Sequence, residues 1–473
     1  MRKRIFIAVC IVIILLFVYL CIHSSRCEYD YIVIGSGAAG SVLASELHKA
    51  GYRVIVLEAG GDYNCLPLLK KATEIQNLVL NQEPAFDWRE VTEYQDNIQK
   101  QLTWAGGRVY GGGPAINGTF WLEGTPDIYE TIGIKGAHLE KIRQFLRTEL
   151  EIEANTVASP VGMKCCKAIN QASNIPIVNN YNEYKFACSP YIQVTQKNGK
   201  RTVGSKVFLS GKVQTLLHCT ALKVKPHSVK VLHKGIPKQI RAKHEIILSA
   251  GIHSNQILQL SGIKNAGSNA IDAVGIEVFF TMPPTDNTPS DPNAPAAFYA
   301  YLPGSSGQRD FHFVGKANII PGLLTVGVVL IRTESRGEAQ ITTKDPLTQA
   351  EVNLNVLGDE SDMQAMMYGI RTHLIPMALA LFAIDNNYIL LAPDAPTVND
   401  DAALRKFILA NVNSTVHNFA GTCSQVVDLK TGKVKCLPGV RVADASILPV
   451  PTNGGTMETA YVIGKYISER ILC

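Results

Sequence analysis

One stretch near the start of the chain limits its fold more than any other. Tyr31 to Ile34 is a short apolar run rich in β-branched residues, as expected of a buried parallel strand. Gly35, Gly37 and Gly40 follow as G-x-G-x-x-G, and Ser41 to Ala50 places Val42, Leu43 and Leu47 on a helix that Gly51 stops. Arg53 to Leu57 reads as a second strand, and Glu58 ends it. Each part has a physical task. Gly35 permits the tight turn, Gly37 lets the backbone approach a pyrophosphate, and Gly40 lets the helix pack closely on the strand. The helix N-terminus offers free amides and partial positive charge to phosphates. Glu58 is placed to accept hydrogen bonds from ribose hydroxyls. Strand, glycine loop, helix, strand and acid in this order predict a dinucleotide-binding unit, without deciding between FAD and NAD.

The rest of the chain is long enough for more than this unit: 473 residues correspond to roughly two to four domains. Charged residues make up 18% against about 25% typically, and apolar residues 46%, which excludes a mostly disordered chain. The net charge is +5, but Arg2, Lys3 and Arg4 supply three of its cations and no dense basic stripe exists, so no nucleic-acid partner is expected. Ile5 to Ile22 is uncharged over 18 residues. That is within the roughly 17–25 residues of a membrane span and beyond the roughly 7–15 of a signal-peptide core. Ser25 and Cys27 nevertheless suit cleavage before Glu28. Residues 1–27 therefore read as a membrane anchor or a signal peptide. In both cases the body of the chain is lumenal or extracellular, because the cations precede the span.

Eleven cysteines form no C-x-x-C pair, which argues against a zinc ribbon or a thioredoxin-like site, and no metal site is expected. In an oxidising lumen some of them could form disulfides. Asn117 and Asn413 head glycosylation sequons but fall in segments read as buried. Tyr191 to Gly251 reads as short strands, with a turn at Asn198-Gly199. Pro283 to Pro303 reads as a loop, and Asp359 to Ala383 as a helix that Pro376 kinks or breaks. The last stretch, Thr456 to Leu472, reads as a helix with Thr456 as N-cap.

Four segments together resemble a known family. They are Leu57-Glu-Ala-Gly-Gly61, the glycine-rich Gly107-Arg-Val-Tyr-Gly-Gly-Gly-Pro-Ala-Ile-Asn-Gly-Thr-Phe-Trp121, Glu245-Ile-Ile-Leu-Ser-Ala-Gly-Ile-His-Ser-Asn-Gln-Ile-Leu-Gln-Leu-Ser-Gly-Ile263, and Gly439-Val-Arg-Val-Ala-Asp-Ala-Ser-Ile-Leu-Pro449. In this order they resemble the glucose–methanol–choline (GMC) flavoprotein oxidoreductases, as a shortened and divergent member. The resemblance implies FAD as cofactor and hydride transfer from the CH–OH group of a small alcohol. It implies an α/β fold: a doubly wound, Rossmann-like FAD domain beside a mostly antiparallel-sheet substrate domain. The expected boundaries are 28–125, 200–280 and 413–473 for the FAD domain, and 126–199 with 281–412 for the substrate domain. By match to the family, Gly35, Gly37, Gly40 and Glu58 would hold the ADP part. Arg108, Gly112 and Asn117 would lie along the pyrophosphate and flavin. The Thr220 to Val224 strand, with Leu222, would pass the adenine, and Asp444, Ala445 and Thr456 would approach the pyrophosphate–flavin region.

The sequence also departs from the family. Ile116 stands where some members carry a histidine bonded to FAD, so non-covalent FAD is expected. The family base is a histidine five residues before the cysteine of H-x-x-G-T-C. Here Thr415-Val-His-Asn-Phe-Ala-Gly-Thr-Cys423 puts Asn418 at that position and His417 one residue early. The partner position falls on Gly455, with Asn453 two residues away. His417 and Asn418 are thus the candidate catalytic residues. The alternative is a catalytically degenerate homologue serving as a membrane-associated structural or interaction protein.

Overall fold

The computed structural model describes residues 29–62, 86–155, 157–286, 295–317, 319–412 and 416–473. The N-terminal apolar segment and the Asn413 sequon lie outside these residues. Cys165, Cys166, Cys188, Cys219, Cys423, Cys436 and Cys473 are free thiols.

The opening unit forms as its residues dictate. Strand β1 (Tyr29–Ile34), helix α1 (Ala38–Lys49) and strand β2 (Val54–Leu57) follow one another, and β2 is buried throughout. They join β3 (Gln214–Leu216), β4 (Cys219–Lys225), β5 (Ser228–His233) and β6 (Ile236–Leu248) in a seven-stranded sheet of order β3-β2-β1-β6-β5-β4. The seventh strand, Val440–Val442, pairs with β6 off this path. The pairings β3-β2, β2-β1, β1-β6 and β6 with Val440–Val442 are parallel, and those of β6-β5 and β5-β4 are antiparallel. Register decides what this sheet can hold. Ile34 lies opposite both Leu57 and Leu248, and Leu248 lies opposite Val442. Gly35, Glu58, Ser249 and Ala443 therefore leave the sheet side by side at the carboxyl ends of its strands, where open α/β sheets bind their ligands.

The turn after β1 shows why glycine is required. Gly35 has φ +100°, and an added Cβ would lie 2.4 Å from the Ser249 carbonyl oxygen. At Gly40 a Cβ would lie 2.1 Å from the Gly35 carbonyl oxygen, so α1 could not sit as close to the strand.

A second, five-stranded sheet is wholly antiparallel. It contains β7 (Val274–Thr281), β8 (Phe298–Pro303), β9 (Arg309–Ala317) and β10 (Leu323–Leu330), in the order β7-β10-β9-β8, with Ala187–Ser189 beyond β8. One face packs Ile276, Val278, Phe311, Phe313, Val326 and Val328 in a core shared with the helices Pro160–Ser173 and Glu360–Ile384. This is the doubly wound sheet beside an antiparallel one that the resemblance implies. Asn198-Gly199 turns the Gln196–Lys197/Lys200–Arg201 hairpin as read, with both residues at positive φ.

Four details differ from the sequence reading. Pro283 to Pro303 was read as a loop, but its last six residues form β8, paired on both edges. Ile128, Tyr129, Leu139, Ile142 and Leu146 bury with β1 and the C-terminal helix, although residues 126–199 were expected with the substrate domain. The apolar stripe of helix Gly136–Glu149 points at the first sheet's core. Conversely, β7 lies within the segment expected in the FAD domain but hydrogen-bonds to β10 in the second sheet. Pro376 does not end its helix: a π-turn at Ile370–Leu374 interrupts the α-helix just before it, and the α-helix resumes at Ile375–Ile384. This run, Glu360–Ile384, is long and apolar enough to cross a membrane, but one of its faces buries Met363, Met366, Met367, Ile370, Leu374, Met377 and Leu381.

Gly35→Ala should lower stability by more than about 2 kcal/mol, through a strained φ and a backbone clash, and should release the flavin that the resemblance implies. Gly51→Ala should cost about 1–2 kcal/mol and leave flavin bound, since Gly51 has φ +91° but no atom within reach of an added Cβ. Melting temperature and flavin absorbance of the two purified variants check both outcomes.

Candidate active site

The carboxyl ends of the first sheet and the open face of the second enclose one cavity of about 1550 Å³. Of the residues singled out from sequence, Gly35, Gly37, Glu58, Arg108, Gly112, Asn117, Asp444, Ala445, Thr456, His417 and Asn418 line it. Gly40 packs behind the glycine turn instead. Leu222 is not on the wall: Cys219, Thr220 and Ala221 line it from the same segment.

Two buried carboxylates shape the cradle. Glu58 accepts hydrogen bonds from the Ser36 amide at 3.1 Å and hydroxyl at 2.6 Å, and from the Gly60 amide at 2.8 Å. Ser36 Oγ in turn accepts from the Gly111 amide at 2.9 Å, which ties the first glycine loop to the second. Asp444 accepts from the Gly251 amide at 2.9 Å, Ser254 Oγ at 2.7 Å, and the Ser446 amide at 2.9 Å and hydroxyl at 2.5 Å. Burial pushes both carboxyls above their ordinary range, and these hydrogen bonds oppose it. Gly37, N-cap of α1, has nothing within 4 Å of an added Cβ, so its backbone faces open space at the helix N-terminus. Gly112, with φ +58°, brings the second loop to 3.0 Å from the Gly37 Cα when a Cβ is added. Two bare backbone loops, a free helix start and a buried acid side by side fit the pyrophosphate and ribose of a dinucleotide. Asn117 is already committed, accepting from the Thr119 amide at 3.0 Å and from Arg201 Nη1 at 2.8 Å. Ile116 lines the wall and carries no atom that could bond covalently to a cofactor.

The loop carrying His417 is tied to the end of helix α2 (Thr456–Leu472). The N-cap of α2 is Gly455, one residue before the expected Thr456, and it has no side chain to cap with. Asn418 supplies the cap from a distance: its Oδ1 accepts from the Thr456 amide at 3.3 Å and hydroxyl at 3.2 Å. Its own amide donates to Asp272 Oδ1 at 2.8 Å. His417 takes the left-handed conformation with φ +61°, which turns the chain between its own imidazole and Asn418. The residue is exposed overall and lines the cavity. Surrounding protein and then the Lys316 ammonium hold its pKa down, to about 4, so it is neutral near pH 7. Asn453 is not on the wall; it is buried, with its amide engaged by Thr125 at 2.8 and 2.6 Å.

The opposite wall was not legible as a site from sequence. Gly275, Glu277, Phe279, His312, Val314, Lys316, Thr325, Gly327 and Val329 line it from β7, β9 and β10. Their signal is the period-two alternation of Phe311-His-Phe-Val-Gly-Lys316, with Phe311 and Phe313 turned into the core. His312 is buried, pairs with the Tyr299 hydroxyl, and lies 3.4 Å from the Asn453 carbonyl through Nε2. Burial, with Arg309 nearby, pushes its pKa down to about 3.

This depressed pKa makes stability depend on pH. Between pH 6.5 and about 3 the unfolded chain protonates this histidine and the folded one does not. Its contribution is therefore complete above pH 6.5 and is lost as pH falls toward 3. Thermal melts across this range should show a fall that is shallower for His312→Gln than for the parent protein.

Comparison with known proteins agrees with this geometry. Residues 29–278 and 333–464 match the two models of the GMC oxidoreductase family. An oxygen-dependent choline dehydrogenase of Sinorhizobium medicae is 24% identical, over 94% of this chain and 96% of its own length. A glucose dehydrogenase [FAD, quinone] of Drosophila melanogaster is 24% identical, over 94% and 87%. Among solved structures, pyridoxine 4-oxidase from Mesorbium loti superposes with a TM-score of 0.82 at 20% identity, covering 94% of this chain and 99% of that one. A formate oxidase superposes at 0.81 and 18% identity, covering 94% and 98%. The cradle, the two sheets and the matched residues lead to one conclusion: this chain belongs to the GMC oxidoreductases and is an FAD-dependent oxidoreductase.

Proposed function

We propose that the chain oxidises the CH–OH group of a small alcohol, with FAD held non-covalently from Glu58 to Thr456 and with His417 as proton acceptor. One observation carries the proposal: the cavity runs without interruption from the dinucleotide cradle to the His417 loop and the open face of the second sheet. Relatives named for choline, glucose and pyridoxine support an alcohol donor.

Bound FAD supplies the hydride acceptor. The chain's own residues supply the rest. A neutral imidazole has a lone pair for the hydroxyl proton, and it is the only group at the expected base position that does, since an amide such as Asn418 is not basic near neutral pH. Asn418 instead holds the His417 loop against the start of α2. That helix end carries partial positive charge toward the cavity, which favours negative charge developing beside it. Gly455 contributes no side chain at the position of the family's second residue. The cradle favours this reading over a degenerate scaffold, which has no use for two buried carboxylates holding bare glycine loops.

The FAD domain is proposed to comprise the first sheet with the Gly136–Glu149 helix and residues 416–473; the substrate domain is proposed to be built on the second sheet. The apolar segment before Tyr29 is proposed to anchor the protein, with its body lumenal or extracellular. The tether from Ile22 to the first strand spans at most about 25 Å. A mature protein whose N-terminal sequence begins at Glu28 would contradict the anchor.

Acid precipitation should release all the yellow chromophore as free FAD. His417→Ala should lower turnover by about 100-fold or more with FAD content unchanged, and Asn418→Ala should cost less. The kcat/KM of the parent should stay level near neutral pH and fall only as pH approaches about 4. A fall centred on 6.5, or full turnover in His417→Ala, contradicts the assignment of the base.

A further inference from the structure

Lys316 is a charged group of the cavity wall that the reaction above does not use. It lies on β9 opposite Thr325 of β10 and faces the cavity with His312 and Val314. Among the described residues its ammonium makes no hydrogen bond and no ion pair. The side chain is half-buried, and a lysine withdrawn from water ordinarily has a partner. The other inward lysines conform: Lys164 is held by Asp286 at 2.6 Å and Asp385 at 2.8 Å, and Lys465 by Glu46 at 2.7 Å and Glu469 at 3.2 Å. Burial holds the Lys316 pKa below its ordinary value, and only Glu277 opposes this. Glu277 lies two strands away on β7, opposite Gly327, and is exposed. It keeps its own hydration and does not approach within 4 Å of the ammonium. The missing side chain at Gly327 leaves the floor between the two open.

We propose that Lys316 is a specificity-determining residue that binds a carboxylate on the substrate, so that the donor is a hydroxy acid and the product an oxo acid. The proposal rests on the alcohol-oxidising reading above. A half-buried ammonium lacking a partner is stabilised by an anion that supplies both charge and hydrogen-bond acceptors. One lysine with a glutamate on the same face suits a single negative charge better than a phosphate dianion. The position also serves the chemistry. Lys316 lies close enough to His417 to lower its affinity for a proton. A carboxylate on Lys316 cancels that effect, and the imidazole becomes a better acceptor when substrate is present. In the balanced step the carbinol hydrogen leaves together with the C–H electron pair, as a hydride that bound FAD would accept, the hydroxyl proton passes to His417, the C=O bond forms, and the carboxylate is unchanged.

The test is calorimetric titration of the FAD-loaded protein with propionate, which cannot be oxidised at a carbinol, and with propionamide and inorganic phosphate as comparisons. Propionate should bind saturably and more tightly than either. Lys316→Met, checked for full FAD content, should weaken propionate by at least about tenfold, and Lys316→Arg should restore part of the loss. Equal propionate affinity in Lys316→Met, or no propionate binding to the parent protein, overturns the proposal, as does tighter binding of phosphate. Failure of every alcohol to reduce the flavin overturns the oxidoreductase reading instead, and the calorimetry distinguishes the two.

Discussion

Two buried carboxylates organise the molecule around its cavity. Glu58 and Asp444 each draw donors from segments far apart in sequence, and both are nearly inaccessible to solvent. A carboxylate moved out of water is tolerated only when hydrogen bonds replace its hydration. The loops that supply those donors are thereby fixed. Glu58 fixes the first glycine turn and, through Ser36, the second. Asp444 fixes the Gly251 turn and the segment that leads into the final helix. The parallel register of β1, β2, β6 and Val440–Val442 brings the two acids to the same edge of the sheet. The cradle follows from that register combined with these hydrogen bonds.

The far wall is held by a different set of charges. Arg143 donates to Glu458 at 2.9 Å, Arg147 clasps Glu123 at 2.7 and 2.5 Å, and Trp121 donates to Glu123 at 2.7 Å. Arg309, at the start of β9, donates to the Glu123 carbonyl at 2.8 Å and stacks on Tyr301 at 3.7 Å. Glu458 sits in the first turn of α2, so this network fixes the helix end against which the His417 loop is capped. Removing one partner from such a network leaves a buried charge exposed to none of its neighbours, which costs more than the pair contributes.

The sequence was most legible where one residue type is physically required. Gly35 and Gly40 cannot be replaced without backbone contact, and Glu58 closes the same unit, so their spacing alone predicts the turn, the helix and the second strand. The alternation of β9 was present in the text but silent about function, because Phe311-His-Phe-Val-Gly-Lys316 reads equally as any half-buried strand. Only the pairing with β10 and β7 turns His312 and Lys316 toward the first sheet. Asn418 was misleading in a different way. Its distance from Cys423 suggests a role in chemistry, whereas its side chain caps a helix 38 residues away. The packing of the Gly136–Glu149 helix was illegible because an apolar stripe does not say which of two cores it joins.

Anaerobic rapid-mixing of the FAD-loaded protein with an alcohol, followed at the flavin absorbance band, tests the central claim most directly. The account requires the band to bleach without oxygen, and to bleach more slowly when the carbinol carbon carries deuterium. Carbonyl product formed while the flavin stays oxidised, or a flavin that no alcohol can bleach, would contradict it.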